Sequence, residues 1–424
     1  MHVNVIQMKL IPTNLMCVNH SNISVKNNDN KLCRYNMQCD NISFGRYADS
    51  GKLRELYKYG VPCMYTGRIM IYSPFIQKLL NHNFFQQQCS TVLTKIAKFC
   101  ISMYPIEYKA FTTLEQKAKT NPENNLHDLM AKVVPFHERL LKKKQITVLN
   151  KIEKILCELP PEQFPQADKI MSDTYKKING EPVFEEFSAK EFLYKFNKII
   201  FNINKKGNTP KKKIMQLKQE TDKLLIKDVE NLSMYRKNII DKAYKIFLSS
   251  SLADNDELTY LMNNAKASLN NEEIITSFSR KAFIYQLLQS VNESENPVLY
   301  KQILELTKEL PTSRNNLSAY ILKYSKKPSE QIAYMLLEPS FYSIEHIHPR
   351  SKGGEDKLTN YGGACRRANE DRQNINLEKQ YKKRNRKKYT QMQVDRLIEL
   401  ANDGTFEKCN IEKEYITGFT DNIF

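Results

Sequence analysis

The sequence contains no tryptophan, only 12 glycines in 424 residues, and no long apolar run. Large β-sandwiches and dinucleotide-binding folds use glycine in many of their turns, so its scarcity argues against both. No stretch approaches the roughly 18 consecutive apolar residues of a membrane-spanning helix, so no membrane partner is expected. Hydrophobic residues make up 41% of the chain, which is enough for packed cores. These features predict a mainly α-helical protein.

The nine cysteines are scattered and form no CxxC pair. This pattern indicates neither a disulfide framework nor a paired-thiol zinc site, and it is typical of thiols packed in a reduced interior. The N-terminus lacks the basic and then apolar pattern of a secretory signal peptide. We therefore expect a cytoplasmic location, with non-classical export to another cell left open.

Acidic residues are in deficit, with 47 Asp and Glu against 65 Lys and Arg, for a net charge of +18. A charge of this size predicts a polyanionic partner, although a generally lysine-rich, solvated surface is the alternative. The distribution favours a partner. Residues 350–388 hold 13 basic and 5 acidic residues, so this short segment alone carries +8.

Helical periodicity and chain breakers divide the sequence into five parts. We predict an irregular N-terminal segment (1–52), a helix and lead-in hairpin (53–74), a large helical region (75–338), a compact basic unit (339–389), and a C-terminal helix and tail (390–424). Ser188 with Glu191 predicts a capping box, and Thr390 is the predicted N-cap of the C-terminal helix.

The compact unit reads as a ββα arrangement. Strands are predicted at 342–348 and 360–364, joined by a loop at 349–359, and a helix follows at 365–377. On the first strand, Glu345 and His346 alternate, so they point to opposite faces unless a distortion at the strand end redirects one of them. Histidine can take a proton from water at neutral pH, while the carboxylate of Glu345 and the amide oxygen of Asn369 suit Mg²⁺. This chemistry is that of phosphodiester hydrolysis.

The segment Glu345-His346-Ile347-His348-Pro349, with Asn360 and Asn369, resembles the HNH endonucleases and their ββα-metal fold. The intervals of 14 and 23 residues from His346 to the two asparagines are similar to those in the HNH domains of CRISPR effector nucleases. A second segment, "CMYTG" at 63–67, resembles the C-x-Y-[ST]-G hairpin that precedes the catalytic histidine in that group.

The resemblance implies a role for each matching residue. His346 is the general base, Glu345 and Asn369 are ligands of Mg²⁺ or Mn²⁺, and Asn360 braces the loop and orients His346. Structural positions are Cys63, Tyr65, Gly67 and Cys365. Thr66 and Ala368 stand where many HNH proteins have further cysteines, so structural zinc is not expected. His348 is by default a bystander.

Two features depart from the family. Glu345 stands where aspartate is more common, which shifts the expected metal position. About 280 residues separate the lead-in hairpin from His346, so we interpret the helical region as an insertion in one nuclease domain.

The basic residues around the motif are candidate nucleic-acid contacts. The predicted set is Arg350, Lys352, Arg366, Arg367, Arg372, Lys382, Lys383, Arg384, Arg386, Lys387 and Lys388.

Together these features predict a metal-dependent HNH endonuclease that cuts DNA, with RNA left open. Its role would be that of an antiphage effector or a delivered toxin, and the helical region would be a surface for a regulatory protein. The alternative is a degenerate HNH-type module that binds nucleic acid or protein without cutting.

Overall fold

The computed structural model describes residues 48–205, 211–372 and 386–423. This part of the chain is mainly helical and contains one two-stranded antiparallel sheet, which confirms the predicted mainly α class with a small β element. None of the helices in these ranges is long and apolar enough to cross a membrane.

The helices before the sheet lie between residues 48 and 337. In chain order they are α1 (Ala48–Tyr57), α2 (Ser73–Asn81), α3 (Cys89–Ala97), α4 (Pro105–Ala118), α5 (Leu126–Leu156), α6 (Phe164–Asn179), α7 (Ala189–Lys205), α8 (Lys211–Asp222), α9 (Leu232–Leu248), α10 (Asp256–Leu269), α11 (Arg280–Val291), α12 (Pro297–Lys308), α13 (Leu317–Tyr324) and α14 (Ser329–Leu337). The sheet and the helices after it are β1 (Tyr342–His346), β2 (Tyr361–Cys365), α15 (Arg366–Arg372), α16 (Arg386–Asn402), α17 (Thr405–Lys408) and α18 (Glu414–Asp421).

The sheet and α15 form a ββα unit at the predicted place. The strands pair from Tyr342 opposite Cys365 to His346 opposite Tyr361. β1 ends at His346, two residues earlier than predicted, and a short 3₁₀ turn at Leu358–Asn360 precedes β2. Beyond β1 the Ile347 N–H still donates to the Asn360 carbonyl at 2.9 Å, and the backbone of His348 then bonds to the side chain of Asn360 in place of a strand partner.

The ββα unit shares one hydrophobic core with the lead-in hairpin and the C-terminal helices. This motif core consists of buried residues from 53–70, 344–365 and 394–419. The Met64 N–H donates to the Gly363 carbonyl at 2.9 Å. The two halves of the motif therefore meet in space, although the helical region separates them in sequence.

Close packing in the motif core explains a glycine in β2. A Cβ at Gly363 would lie 2.7 Å from Met70 Cε and 2.8 Å from Gln393 Nε2, both of which are too close. A side chain at this position would displace the ends of Met70 and Gln393, which pack against the strand from the hairpin and from α16.

The helical region contains three further cores, nested in sequence. The first helical core joins 71–134 to 320–341, the second joins 148–171 to 283–310, and the third lies within 189–265. The long helix α5 contributes its start to the first core and its end to the second. The first and last segments of the helical region thus pack against each other, and the second core lies between them and the third in sequence. The two ends of the helical region therefore lie together, next to the motif core.

Two local predictions have different outcomes. The Ser188 hydroxyl accepts the Glu191 N–H at 3.3 Å at the start of α7, which confirms this half of the predicted cap. Thr390 is not an N-cap, since α16 begins at Arg386; its hydroxyl instead donates to the Met64 carbonyl at 3.0 Å. The C-terminal helices belong to the motif core, because this bond and apolar contacts tie them to the hairpin.

Candidate catalytic site

His346 lies at the end of β1 with a quarter of its side chain exposed. Its Nε2 is 2.8 Å from Oδ1 of Asp356, a residue of the loop between the strands. The imidazole ring also packs edge-on against Tyr361, at 4.9 Å between ring centroids. The carboxylate beside the predicted base was missed from the sequence; the available signal was an acidic residue in the loop that returns past the end of β1.

Asp356 is held by more than the histidine. Arg350 donates from Nε to Oδ1 at 2.7 Å and from Nη2 to Oδ2 at 2.6 Å, and the Tyr361 hydroxyl donates to Oδ1 at 3.1 Å. Two-point pairing of this kind fixes both groups in one plane. The guanidinium of Arg350, predicted to contact phosphate, therefore binds a carboxylate of its own loop.

Asn360 braces the loop, as the resemblance implies. Its buried Oδ1 accepts the His348 N–H at 2.8 Å, and its Nδ2 donates to the carbonyls of Glu355 at 2.8 Å and of His348 at 3.2 Å. None of the described bonds of Asn360 reaches the imidazole of His346. Asp356 and Tyr361, and not Asn360, therefore orient the ring.

Glu345 points to the opposite side of β1 from His346 and is 5% exposed. Its Oε1 forms an ion pair with Arg372, while its buried Oε2 has no hydrogen-bond partner among the described residues. Burial raises the pKa of Glu345 to about 8, outweighing the lowering by the Arg372 guanidinium. Among the described residues, this buried carboxylate thus has a partner for one of its two oxygens and none for the other.

Arg372 is 1% exposed, so the prediction that it contacts nucleic acid is wrong. Besides Glu345, it donates to the carbonyls of His346 at 2.5 Å and Ile347 at 2.7 Å. Those carbonyls lie where the strand pairing ends and need donors. Arg372 is therefore an internal cation that joins α15 to the end of β1.

Asn369 also anchors α15 to β1. Its Nδ2 donates to the Ser343 hydroxyl at 3.1 Å and to the Ile344 carbonyl at 3.2 Å, beside Glu345. These contacts occupy the amide nitrogen, so the amide oxygen is the end that can serve as a ligand.

The donor set fits a hard divalent cation. The unpartnered Oε2 of Glu345 and the amide oxygen of Asn369 are oxygen donors of the kind that Mg²⁺ and Mn²⁺ prefer, with water filling other positions. Among the described residues, no three His, Cys, Asp or Glu side chains converge on a possible metal site. An ion here would therefore be held by one carboxylate, one amide and water.

Arg366 and Arg367 bind carboxylates of the helical region. Arg367 pairs through both terminal nitrogens with Glu107, which is fully buried, with Nη1 to Oε2 at 3.0 Å. Arg366 pairs with Glu338 at 2.6 Å. Both were predicted as nucleic-acid contacts; in the structure they tether α15, because desolvated carboxylates of the helical region need cationic partners.

The remaining basic candidates divide into two groups. Lys352 in the loop and Lys387 and Lys388 on α16 have exposed side chains. Arg386 is the first residue of α16. Lys382, Lys383 and Arg384 lie outside the described residues. The surface candidates near the site are therefore the three exposed lysines.

The predicted structural residues lie in the motif core. The Cys365 N–H donates to Cys63 Sγ at 3.1 Å, and the hydrogen bond with Cys63, together with burial, raises the pKa of the Cys365 thiol well above its usual range. Tyr65 is buried with its ring 5.9 Å from the Arg372 guanidinium. Gly67 has φ +65°, a conformation that favours glycine. The two cysteines thus join the hairpin to β2, and Tyr65 lies against the helix that follows it.

Glu345 should make the stability of the metal-free protein depend on pH. Its carboxyl has a pKa of about 8 in the folded protein against an ordinary 4.5. The stability that the protonated carboxyl contributes to the folded state is therefore complete below pH 4.5 and is lost as the pH rises towards 8. We expect Glu345→Gln to lose less stability than the wild type over this range, measured by urea unfolding in EDTA. Glu370→Gln, at a side chain 47% exposed, is the control. Parallel pH profiles for wild type and Glu345→Gln would contradict the expected burial effect.

The structure thus places His346, Asp356 and Asn360 at the end of β1, places Glu345 and Asn369 on the side of β1 that faces α15, and pairs three predicted phosphate-binding arginines with carboxylates of the protein. No protein-family model matches the chain, no curated protein is similar to it in sequence, and no solved structure matches its fold.

Proposed function

We propose that this protein is a divalent-metal-dependent endonuclease of the HNH type that hydrolyses phosphodiester bonds in DNA. The observation that carries the proposal is the ββα unit, which holds a carboxylate-bound histidine at the end of β1 and, on the side of β1 that faces α15, a buried carboxylate with one unpartnered oxygen and a helical asparagine. The match of motif spacing to HNH nucleases supports the same reaction class.

His346 acts as the general base. It takes a proton from water, the water oxygen forms a bond to phosphorus, and the bond from phosphorus to the 3′-oxygen breaks. The leaving 3′-oxygen takes a proton from solvent water, and the products are a 5′-phosphate and a 3′-hydroxyl end. Partial exposure of the imidazole at the end of β1 gives water and a phosphate group access to it.

Glu345 and Asn369 would hold the cation through Oε2 and the amide oxygen. A bound divalent cation supplies positive charge that stabilises the leaving oxygen. Cation binding requires Glu345 as a carboxylate, which burial disfavours in the metal-free protein. Arg372 keeps the other carboxylate oxygen, Oε1, in place.

The substrate approaches a basic surface. Lys352, Lys387 and Lys388 are exposed near the motif, and the chain carries a net charge of +18. Lysines of this kind bind phosphate without reading sequence, so we expect weakly sequence-specific, salt-dependent binding.

A binding module without catalysis is the second candidate. The ion pair of Glu345 with Arg372 favours it, because an internal cation already neutralises the carboxylate that would ligate the metal. In such a module the ββα unit would be purely structural.

We expect purified protein to convert supercoiled plasmid to nicked and linear forms with Mg²⁺ or Mn²⁺, and EDTA to stop the cutting. A single-stranded RNA of matched length, run in parallel, distinguishes the two nucleic acids. A mobility shift without cutting in either metal would overturn the endonuclease and favour the binding module.

A further inference from the structure

We infer that Asp356 is a positioning residue for the proposed general base, and that it selects Nδ1 of His346 as the nitrogen that takes the proton. The inference rests on the proposed function for its catalytic meaning. The geometry behind it does not, since it concerns contacts between the loop and the ends of the two strands that the loop joins.

The surroundings of Asp356 fix the direction of its bond to His346. Its Oδ1 accepts from Arg350 Nε at 2.7 Å and from the Tyr361 hydroxyl at 3.1 Å, and its Oδ2 accepts from Arg350 Nη2 at 2.6 Å. A carboxylate paired in this way has no proton to give and only accepts hydrogen bonds. Nε2 of His346, 2.8 Å from Oδ1, must therefore be the donor.

A neutral imidazole has one N–H and one lone pair. With its proton on Nε2, His346 has its lone pair on Nδ1, which makes no hydrogen bond to a described residue. Nδ1 is therefore the nitrogen that can accept a proton from water. As His346 takes that proton it becomes positively charged, and the Asp356 carboxylate stabilises the charge.

The support for Asp356 is rigid. Tyr361 is 1% exposed, donates to Asp356 and packs its ring against the imidazole, so one buried side chain fixes both partners. Arg350 clamps the other side of the carboxylate. Asn360 bonds to the backbone of the same loop immediately before Asp356, at the Glu355 carbonyl. The loop therefore presents Asp356 in one position.

Arg350 receives a different role from that predicted. Its guanidinium is committed to Asp356 in the free protein, with 43% of its side chain exposed. Its function is to hold the carboxylate that aligns the base, and phosphate contact falls to the exposed lysines.

The test compares Asp356→Asn and Asp356→Ala with Asp371→Asn, an exposed carboxylate on α15 that pairs with Arg314. Asparagine can turn its NH₂ group towards Nε2 and so favour the wrong tautomer, while alanine removes the partner. We expect kcat for a duplex oligonucleotide to fall on the order of 10²-fold in both Asp356 variants, with KM near the wild-type value. Asp371→Asn should keep wild-type kcat and KM.

A second measurement needs no activity. NMR of metal-free protein with isotope-labelled histidine should show His346 as the Nε2–H tautomer, with its signal identified by its loss in His346→Gln. In Asp356→Asn the tautomer population should move towards Nδ1–H.

The outcomes separate the two proposals. If wild-type protein cuts and Asp356→Asn retains both kcat and the tautomer, the inference is overturned while the endonuclease stands. A raised KM or a lowered melting temperature with unchanged kcat also overturns it, since that indicates a structural role alone. If the wild-type protein does not cut DNA but Asp356→Asn still moves the His346 tautomer towards Nδ1–H, the proposed function fails and the positioning contact remains.

Discussion

His346→Ala is expected to reduce DNA cleavage by about 10²- to 10⁴-fold, the usual contribution of a general base. The fold should survive, because the imidazole is partly exposed and the backbone carbonyl of residue 346 keeps its bond to Arg372. Initial cleavage rates of a labelled duplex in Mg²⁺ measure the effect. A mobility shift assay in EDTA should show unchanged DNA affinity.

His348→Ala is the matched control for this experiment. The two histidines lie two residues apart, but the side chain of His348 is exposed, and only the backbone of His348 takes part in the Asn360 brace. We expect this variant to retain most of the cleavage activity. Near-normal cleavage by His346→Ala, or equal losses in the two variants, would refute the assignment of His346 as the base.

Arg367→Ala is expected to lower the free energy of unfolding by about 3–5 kcal/mol, the typical cost of leaving a buried charge without its partner. Glu107 is fully buried, and Arg367 contacts both of its oxygens. The guanidinium also stacks 4.8 Å from the Tyr104 ring centroid, so cation–π packing is lost as well. Urea unfolding followed by far-UV circular dichroism measures the change.

Arg314→Ala provides the comparison, since Arg314 also joins the helical region to α15. Its side chain is 61% exposed and pairs with Asp371 at 2.8 Å, so its removal should cost only about 0–1 kcal/mol. Glu107→Gln placed on Arg367→Ala should recover part of the lost stability, because it removes the unpaired charge. Equal losses in Arg367→Ala and Arg314→Ala would contradict the buried pair.

The ion pair of Arg367 with Glu107 joins the helical region to the helix that carries Asn369. Arg367 lies two residues before Asn369 on α15, and Asn369 bonds to β1 beside Glu345. The helical region therefore supports the helix that carries a proposed metal ligand, and is joined to the ββα unit by this buried ion pair.

Local spacing predicted much of the candidate site. The order of strand, loop, strand and helix follows from Pro349, the glycines and the alternation of apolar residues. The brace by Asn360 follows from its match to the motif. These features depend on neighbours within a few tens of residues, so the sequence itself displays them.

Long-range pairing decided the rest. Arg366, Arg367 and Arg372 all resemble phosphate-binding residues on a basic helix, but they pair with carboxylates of other elements, Glu338, Glu107 and Glu345. Of these, Glu107 lies 260 residues from its arginine. Thr390 likewise bonds to Met64, 326 residues away. The spacing of residues along the sequence does not show these contacts, because the tertiary fold determines which charged side chains are buried together.

By itself, the sequence determined the mainly helical class and the ββα unit that carries His346, because periodicity and turn residues act locally. Only the tertiary structure decided that Asp356 faces the imidazole, that the hairpin at 63–67 packs on β2, and that Arg367 and Arg372 serve as internal cations. Buried charges require partners, and those partners come from whichever segments the fold brings into contact.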